Sequence, residues 1–332
     1  MSIQASKISI IMPVYKASSL IRRSVGSIID QTLKDFELIL VDDCGGDDSI
    51  FIAETLLKES WLESNYTIFK NEKNLGVAGA RGKGMEISSG EYVIHLDSDD
   101  YFEPSLLEIL YKSAVETDSD VVVCGYWVEE QNRSIMHSGD RGLLILQSEQ
   151  EKNDYVKDML SNRVPSALWN KLVKREVYES GEISFIQDLR DDLSVSPLLI
   201  MSAKKILIYP KALVHYVVYN SSSVSYTTGH LKLVASALAY LENRLSPQVI
   251  NNCSNELLSY KVRIRRKLLL HKDMPLSAIE ETLNLFSEVN GEILGNNNPE
   301  KKLHYRILAR LSSKGNSIVL RILIWMLRKV AA

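Results

Sequence analysis

The chain is poor in cysteine: Cys44, Cys124 and Cys253 are the whole supply in 332 residues. Three thiols, odd in number and far apart, give neither a disulfide framework nor a zinc site, and they are expected to be reduced in a cytosolic protein. Long apolar runs are missing too. No stretch reaches the roughly 18 uninterrupted apolar residues of a membrane span. The N-terminal residues lack a cationic start, an apolar core and a small-residue cleavage site, so no signal peptide is expected. Neither sign of charge dominates. With 39 Lys and Arg against 42 Asp and Glu, the net charge of -3 gives no general attraction for nucleic acid. There is no internal repeat. Nor is there a Gly-rich phosphate loop after the first apolar run, where Pro13-Val14-Tyr15-Lys16-Ala17 stands. That absence argues against a nucleotidyltransferase and against a dinucleotide-binding dehydrogenase.

Apolar residues make up 45% of the chain and charged residues 24%, enough for a sizeable core in two domains or one domain with an appendage. Strands are expected over 8–14, 36–41, 66–70, 92–96 and 120–126, alternating with helices over 19–31, 49–60, 77–88 and 104–117. This βαβα rhythm predicts an α/β fold, a mostly parallel sheet flanked by helices. The strands are continuous apolar runs, as burial on both faces requires. Beyond about residue 140 the pattern becomes irregular, with helices expected over 154–161 and 193–202 and strands over 205–210 and 212–219. After a serine-rich turn the remainder reads as helical, so a boundary is placed at residue 228, with a helical C-terminal region over 229–332.

Ligands of an open parallel sheet sit beyond the carboxyl ends of its strands. The second strand ends in Val41-Asp42-Asp43 and the fourth in Leu96-Asp97-Ser98-Asp99-Asp100. Carboxylates crowded at a buried strand end are costly without a cation. An all-oxygen cluster suits Mg²⁺ or Mn²⁺, completed by substrate phosphates.

Four segments carry a resemblance: Ile10-Ile11-Met12-Pro13-Val14-Tyr15-Lys16, then Val41-Asp42-Asp43, then Asn74-Leu75-Gly76 with Ala80-Arg81 and Gly84, then His95-Leu96-Asp97-Ser98-Asp99-Asp100. Their order resembles the family 2 glycosyltransferases of the GT-A fold over residues 8 to about 105, with weaker similarity to about 225. The resemblance implies a Rossmann-like GT-A domain over 1–228, binding a nucleotide sugar in about 8–125 and an acceptor in about 126–228. It implies that Pro13, Val14 and Tyr15 shape the nucleotide pocket and that Asp42 accepts a hydrogen bond from the base. Arg81 is then expected near the base or phosphates, and Asp97 and Ser98 near the ribose and sugar. Asp99, with Asp97, is expected to hold Mn²⁺ or Mg²⁺ on the diphosphate. The turn Cys44-Gly45-Gly46-Asp47 and Gly82 depart from the family pattern.

Sugar transfer also needs a base for the acceptor hydroxyl. Asp191-Asp192 resembles the family's Glu-Asp pair, which makes Asp192 the expected base, with Asp191 beside it and Asp188 as a neighbouring alternative. Acidic residues also favour helix N-termini because of the dipole, so the pair has a structural reading as well. Trp169-Asn170-Lys171-Leu172 resembles a further family segment. Trp169 is the candidate acceptor platform, or core, and Lys171 the candidate to offset diphosphate charge. His215 reads as a hydrogen-bonded structural histidine.

The resemblance thus implies a metal-dependent, inverting glycosyltransferase with a UDP-sugar donor and a glycan or lipid-linked glycan acceptor, in bacterial capsule, exopolysaccharide or O-antigen synthesis. A non-catalytic nucleotide-sugar-binding module is the alternative. The basic, apolar segment from Leu320 to Lys329 suits a peripheral contact with the cytoplasmic membrane face, as does 261–272; a helical core or a homo-oligomer interface suits them equally.

Overall fold

The computed structural model describes residues 6–130, 133–137, 142–218, 228–271 and 285–286. The segment from Leu320 to Lys329 lies outside these residues. Contacts divide the chain into two units, one of 1–156 with 165–220 and one of 157–164 with 221–332. The boundary expected at 228 compares with a division at residue 220, and the short segment 157–164 groups with the C-terminal unit.

The first unit is built on one mixed sheet. Strands β1 (Ile8–Val14), β2 (Phe36–Asp42), β3 (Tyr66–Lys70) and β4 (Tyr92–His95) lie side by side in the order β3-β2-β1-β4, all parallel. Every residue of β1 is buried, so its Ile and Met side chains pack on both faces, as a sheet covered by helices demands. Helix α1 (Ile21–Ile29) presents Ile21, Ser24, Val25 and Ile28 to the core, the spacing of one helical face. Helix α2 (Ser49–Lys58) follows β2, and helix α3 (Gly76–Ile87) follows β3. Helix α3 lies tight on the sheet: a Cβ on Gly84 would stand 2.3 Å from Ile11 Cγ2.

The chain runs from β1 outward through β2 to β3, then returns to place β4 on the other side of β1. That reversal opens a crevice at the carboxyl ends of β1, β2 and β4, where the acidic motifs stand.

Beyond β4 the sheet is not parallel throughout. Strand β5 (Tyr101–Phe102) and helix α4 (Leu106–Thr117) lead to β6 (Val121–Glu130), which carries β7 (Arg133–His137) at its side. Strand β8 (Leu144–Leu146) and helix α5 (Glu149–Leu160) come next. Strand β9 (Lys171–Lys174) then inserts antiparallel between β4 and β6, and helix α6 (Arg175–Ser180) follows. The expected helix over 193–202 is two pieces, α7 (Asp191–Ser194) and α8 (Ser196–Ser202). Pro197 starts the second, because a proline fits a first turn and disrupts an interior. The two strands expected over 205–219 are one, β10 (Ile206–Val217), parallel to β6, with register shifts between Tyr209 and Val214.

In the second unit the described helices are α9 (Thr228–Arg244), α10 (Pro247–Asn252) and α11 (Ser254–Leu270). Ser246 caps α10 by accepting from Val249 N. Two cations of the 261–272 stretch turn inward: Lys261 pairs with Glu242 at 2.8 Å, and Arg265 is buried and donates to Phe286 O. No helix among the described residues is long and apolar enough to cross a membrane.

Candidate active site

All the candidate site residues lie in the first unit. At the ends of β1 and β2, a cavity of about 250 Å³ is lined by Val14, Asp42, Cys44, Asp47 and Lys70 among others. This is close to the small end of the ~300–1,000 Å³ usual for small-molecule pockets. Asp42 faces this space and also accepts from Cys44 N at 3.0 Å. Cys44, at φ 60, donates its thiol to Asn71 O at 3.0 Å. The following glycines, with Gly46 at φ 71, let the chain turn tightly. Asp43 looks the other way: it is buried and accepts from Asn71 Nδ2 and Leu75 N, each at 2.8 Å. Of the acidic pair, Asp43 therefore braces the loop before α3 and Asp42 is left for a ligand. Tyr15 is 45% exposed beside this cavity's Val14 wall.

At the end of β4, carboxylate oxygens of Asp97, Asp99 and Asp100 lie within 4.8 Å of one another. Asp100 was not among the expected ligands, although it belongs to the same run. It is buried, accepts from Val217 N at 2.9 Å through Oδ1, and its Oδ2 has no partner. Burial, then the Asp97 charge, pushes the Asp99 carboxyl up to about 6. Burial and both neighbours raise Asp100 well above the ordinary range. Crowding of this kind is relieved by a proton or by a cation. The oxygen-only donor set and the orphaned buried Oδ2 fit a hard divalent ion. Ser98 offers its carbonyl to Ser24 Oγ at 2.9 Å.

Arg81 is a buried tie. From α3 its guanidinium donates to Asp97 on one side and to Asp191 on the other. Burial opposes its charge, but Asp191 and Asp97 more than compensate and hold it protonated. The group expected near base or phosphates is thus committed to two carboxylates, joining the cluster after β4 to the start of α7.

Asp191 and Asp192 differ sharply. The Asp191 side chain is 3% exposed and locked to Arg81. Asp192 is 24% exposed, and Arg190 grips it with two donors, Nε to Oδ1 at 2.9 Å and Nη2 to Oδ2. Burial is the largest single influence on Asp192 and raises it, yet Arg190, with help from Arg81, leaves its carboxyl below the ordinary range. Asp192 is the more exposed member of the pair.

Two expected contacts are occupied by the protein itself. Lys171 is 1% exposed and donates to Ala167 O at 2.6 Å, Asn170 Oδ1 at 2.9 Å and Pro165 O at 3.3 Å. Burial brings its ammonium down to about 7. It braces the loop before β9 rather than facing the opening. Trp169 is also buried, edge-on to Tyr126 and stacked on Tyr216 with ring centres 5.6 Å apart. Tyr216 is the ring left 39% exposed. Burial, then Asp100, Asp99 and Asp97, raises its phenol, against the pull of Arg190. That places Tyr216 within electrostatic reach of both the cluster and Arg190. His215 is hydrogen-bonded at both nitrogens, to Glu129 at 2.7 Å and Glu103 at 2.9 Å, and stacks on Tyr101.

Comparison with known proteins agrees with this geometry. The pattern of glycosyl transferase family 2 matches residues 9–178. EpsH of Bacillus subtilis is 28% identical over 273 residues, covering 80% of this chain and 75% of EpsH. The poly(ribitol-phosphate) beta-N-acetylglucosaminyltransferase TarP of Staphylococcus aureus is 32% identical over 183 residues, 54% of this chain and 52% of TarP. Among solved structures, residues 1–349 of S. aureus TarS in complex with UDP-GlcNAc superpose with a TM-score of 0.63 at 19% identity, covering 97% of this chain and 92% of that one. The match over residues 9–178, with a sheet and crevice of the same fold, shows that this chain belongs to glycosyl transferase family 2 and is a glycosyltransferase of the GT-A fold.

Proposed function

We propose that the enzyme transfers a sugar from a UDP-sugar to a glycan or lipid-linked glycan hydroxyl, with inversion at the sugar carbon and dependence on Mn²⁺ or Mg²⁺. One observation carries the reading: Arg81 ties Asp97 of the Asp97-Asp99-Asp100 cluster to Asp191, the neighbour of the partly exposed Asp192, so leaving group and nucleophile are served from one crevice. Proteins of similar structure support the chemistry, since TarS was solved with UDP-GlcNAc and the Pyrobaculum calidifontis mannosyltransferase PcManGT with GDP-Man and Mn²⁺.

In this reading the base enters the cavity lined by Asp42 and Lys70, with Pro13, Val14 and Tyr15 at its rim. Asp97, Asp99 and Asp100 would hold the cation, which supplies charge stabilisation to the departing diphosphate. Asp192 takes the proton of the acceptor hydroxyl as oxygen attacks the sugar carbon. Tyr216 offers the exposed aromatic face for the acceptor, with Trp169 beneath it. The acceptors in the names of TarP and its relatives favour a bacterial surface glycan, and hence work at the cytoplasmic membrane face. For the segment from Leu320 to Lys329, membrane contact is proposed on its composition alone. The deciding experiment is hydrolysis and transfer with a panel of nucleotide sugars, with Mn²⁺ and with EDTA. Equal rates in both conditions would overturn the metal assignment, and activity only with a non-uridine donor would overturn the UDP assignment.

A further inference from the structure

The pairing of Arg190 with Asp192 creates a difficulty for the chemistry. A carboxylate held by two guanidinium donors has its charge offset and two of its acceptor positions filled, which makes it a weaker base towards a hydroxyl. The pair is only partly buried, at 29% and 24% side-chain exposure. Water still reaches both side chains, so a competing anion can approach the pair without unpacking the core. Asp191, in contrast, is sealed against Arg81 and cannot exchange partners without unpacking.

The segment carrying Arg190 is tied to the acidic cluster. Arg81 touches Asp97 and Asp191 with one guanidinium, so a single planar group separates the acidic cluster from the segment carrying Arg190. Tyr216 feels Asp97, Asp99, Asp100 and Arg190 together. A diphosphate resting on a cation at that cluster would come within reach of a long arginine side chain. The fork that fits a carboxylate bidentately also fits a phosphate.

We propose that Arg190 exchanges anions: it holds Asp192 until a nucleoside-diphosphate donor binds and then turns to the donor's diphosphate, which releases the Asp192 carboxylate for the acceptor. Arg190 is thus a positioning residue that makes the base available only once the donor is seated. The proposal rests on the reading of Asp192 as base, but its binding consequence does not depend on turnover.

The test is a double-mutant cycle on the full chain, with Mg²⁺ present and inorganic pyrophosphate and UDP as titrants. R190Q is expected to weaken pyrophosphate binding about tenfold, the scale of one charge-assisted hydrogen bond. D192N is expected to tighten it severalfold, because the arginine no longer has a competing carboxylate. In the R190Q/D192N protein that gain should vanish. If the D192N gain persists undiminished without Arg190, it reflects only the removal of a negative charge, and the exchange is overturned. Binding that is indifferent to both substitutions overturns it as well. R190K retains the charge but loses the fork, and is expected between wild type and R190Q; this also covers failure of R190Q to fold. If D192N transfers sugar normally while the binding cycle holds, the base assignment fails and the exchange stands.

Discussion

Arg81 and Asp191 meet across 110 residues of sequence, both side chains nearly closed off from water. Because the same guanidinium also holds Asp97, the pair does more than join α3 to α7: it sets the distance between the acidic cluster and the Asp191-Asp192 segment. Arg81→Ala would leave a buried carboxylate without its counter-charge. Removing one partner of a buried pair costs about 3–5 kcal/mol, so a large fall in the denaturation midpoint is expected, with activity lost. Arg81→Lys keeps the charge but cannot fork to both carboxylates. It should recover part of the stability and little of the turnover. A variant of either kind with wild-type stability would show that the tie contributes nothing.

The cluster makes a pH prediction. Burial and the neighbouring carboxylates push Asp99 up to about 6 from its ordinary 3.8, and Asp100 is raised too. Between those values the folded protein keeps protons that the unfolded chain has released. The stability from the neutral carboxyls is therefore full below the unfolded value and is lost as pH rises through the folded one. A divalent cation takes the place of the protons. The gain in melting temperature from Mn²⁺ or Mg²⁺ should be small near pH ~5 and larger near pH ~7.5, since ligands must deprotonate to bind. Asp100→Asn keeps the acceptor for Val217 N and should flatten that dependence. An equal gain at both pH values would move the cation elsewhere.

Gly84 offers a simpler test of the scaffold. A Cβ there would approach Ile11 Cγ2 to 2.3 Å, in the middle of a fully buried strand. Overpacking of a filled core costs about 1–3 kcal/mol. Gly84→Ala should lower the denaturation midpoint by that order, and its cost should be smaller in an Ile11→Ala background, where Cγ2 is gone. An equal cost in both backgrounds would mean that the contact is not the cause.

The donor half was legible because its strands are buried on both faces. Ile8–Val14 and Phe36–Asp42 are unbroken apolar runs ending in acidic turns, so strand, polarity and site could be read together. The strand Lys171–Lys174 was missed for the opposite reason. It is four residues long, begins and ends with lysine, and has no periodicity. Lys171 reads as a surface cation until Pro165, Ala167 and Asn170 are folded around it. The break at Pro210-Lys211 suggested two strands, whereas β10 passes through it by shifting register. Nothing local in Arg190-Asp191-Asp192 says which carboxylate faces inward. Arg81 decides that from 110 residues away.

The choice between those carboxylates leads to the last prediction. An alcohol is a poor nucleophile near neutrality, so a positioned carboxylate acts mainly in the transition state. General-base help is typically worth roughly 10²–10⁴-fold in rate. Asp192→Asn nearly keeps the shape of the side chain and cannot take the proton. It should lower kcat by that factor without weakening donor binding, and leave the denaturation midpoint close to wild type, because Asp192 is partly exposed. Asp191→Asn should behave in reverse. It removes the charge that Arg81 faces in a closed site, so stability should fall first and turnover only through the displaced segment. Asp188→Asn serves as the control, since Asp188 sits in a left-handed turn before the pair, and should change turnover least. A stable Asp191→Asn protein without turnover would transfer the role of base to Asp191. Normal turnover in all three would place the base outside this segment.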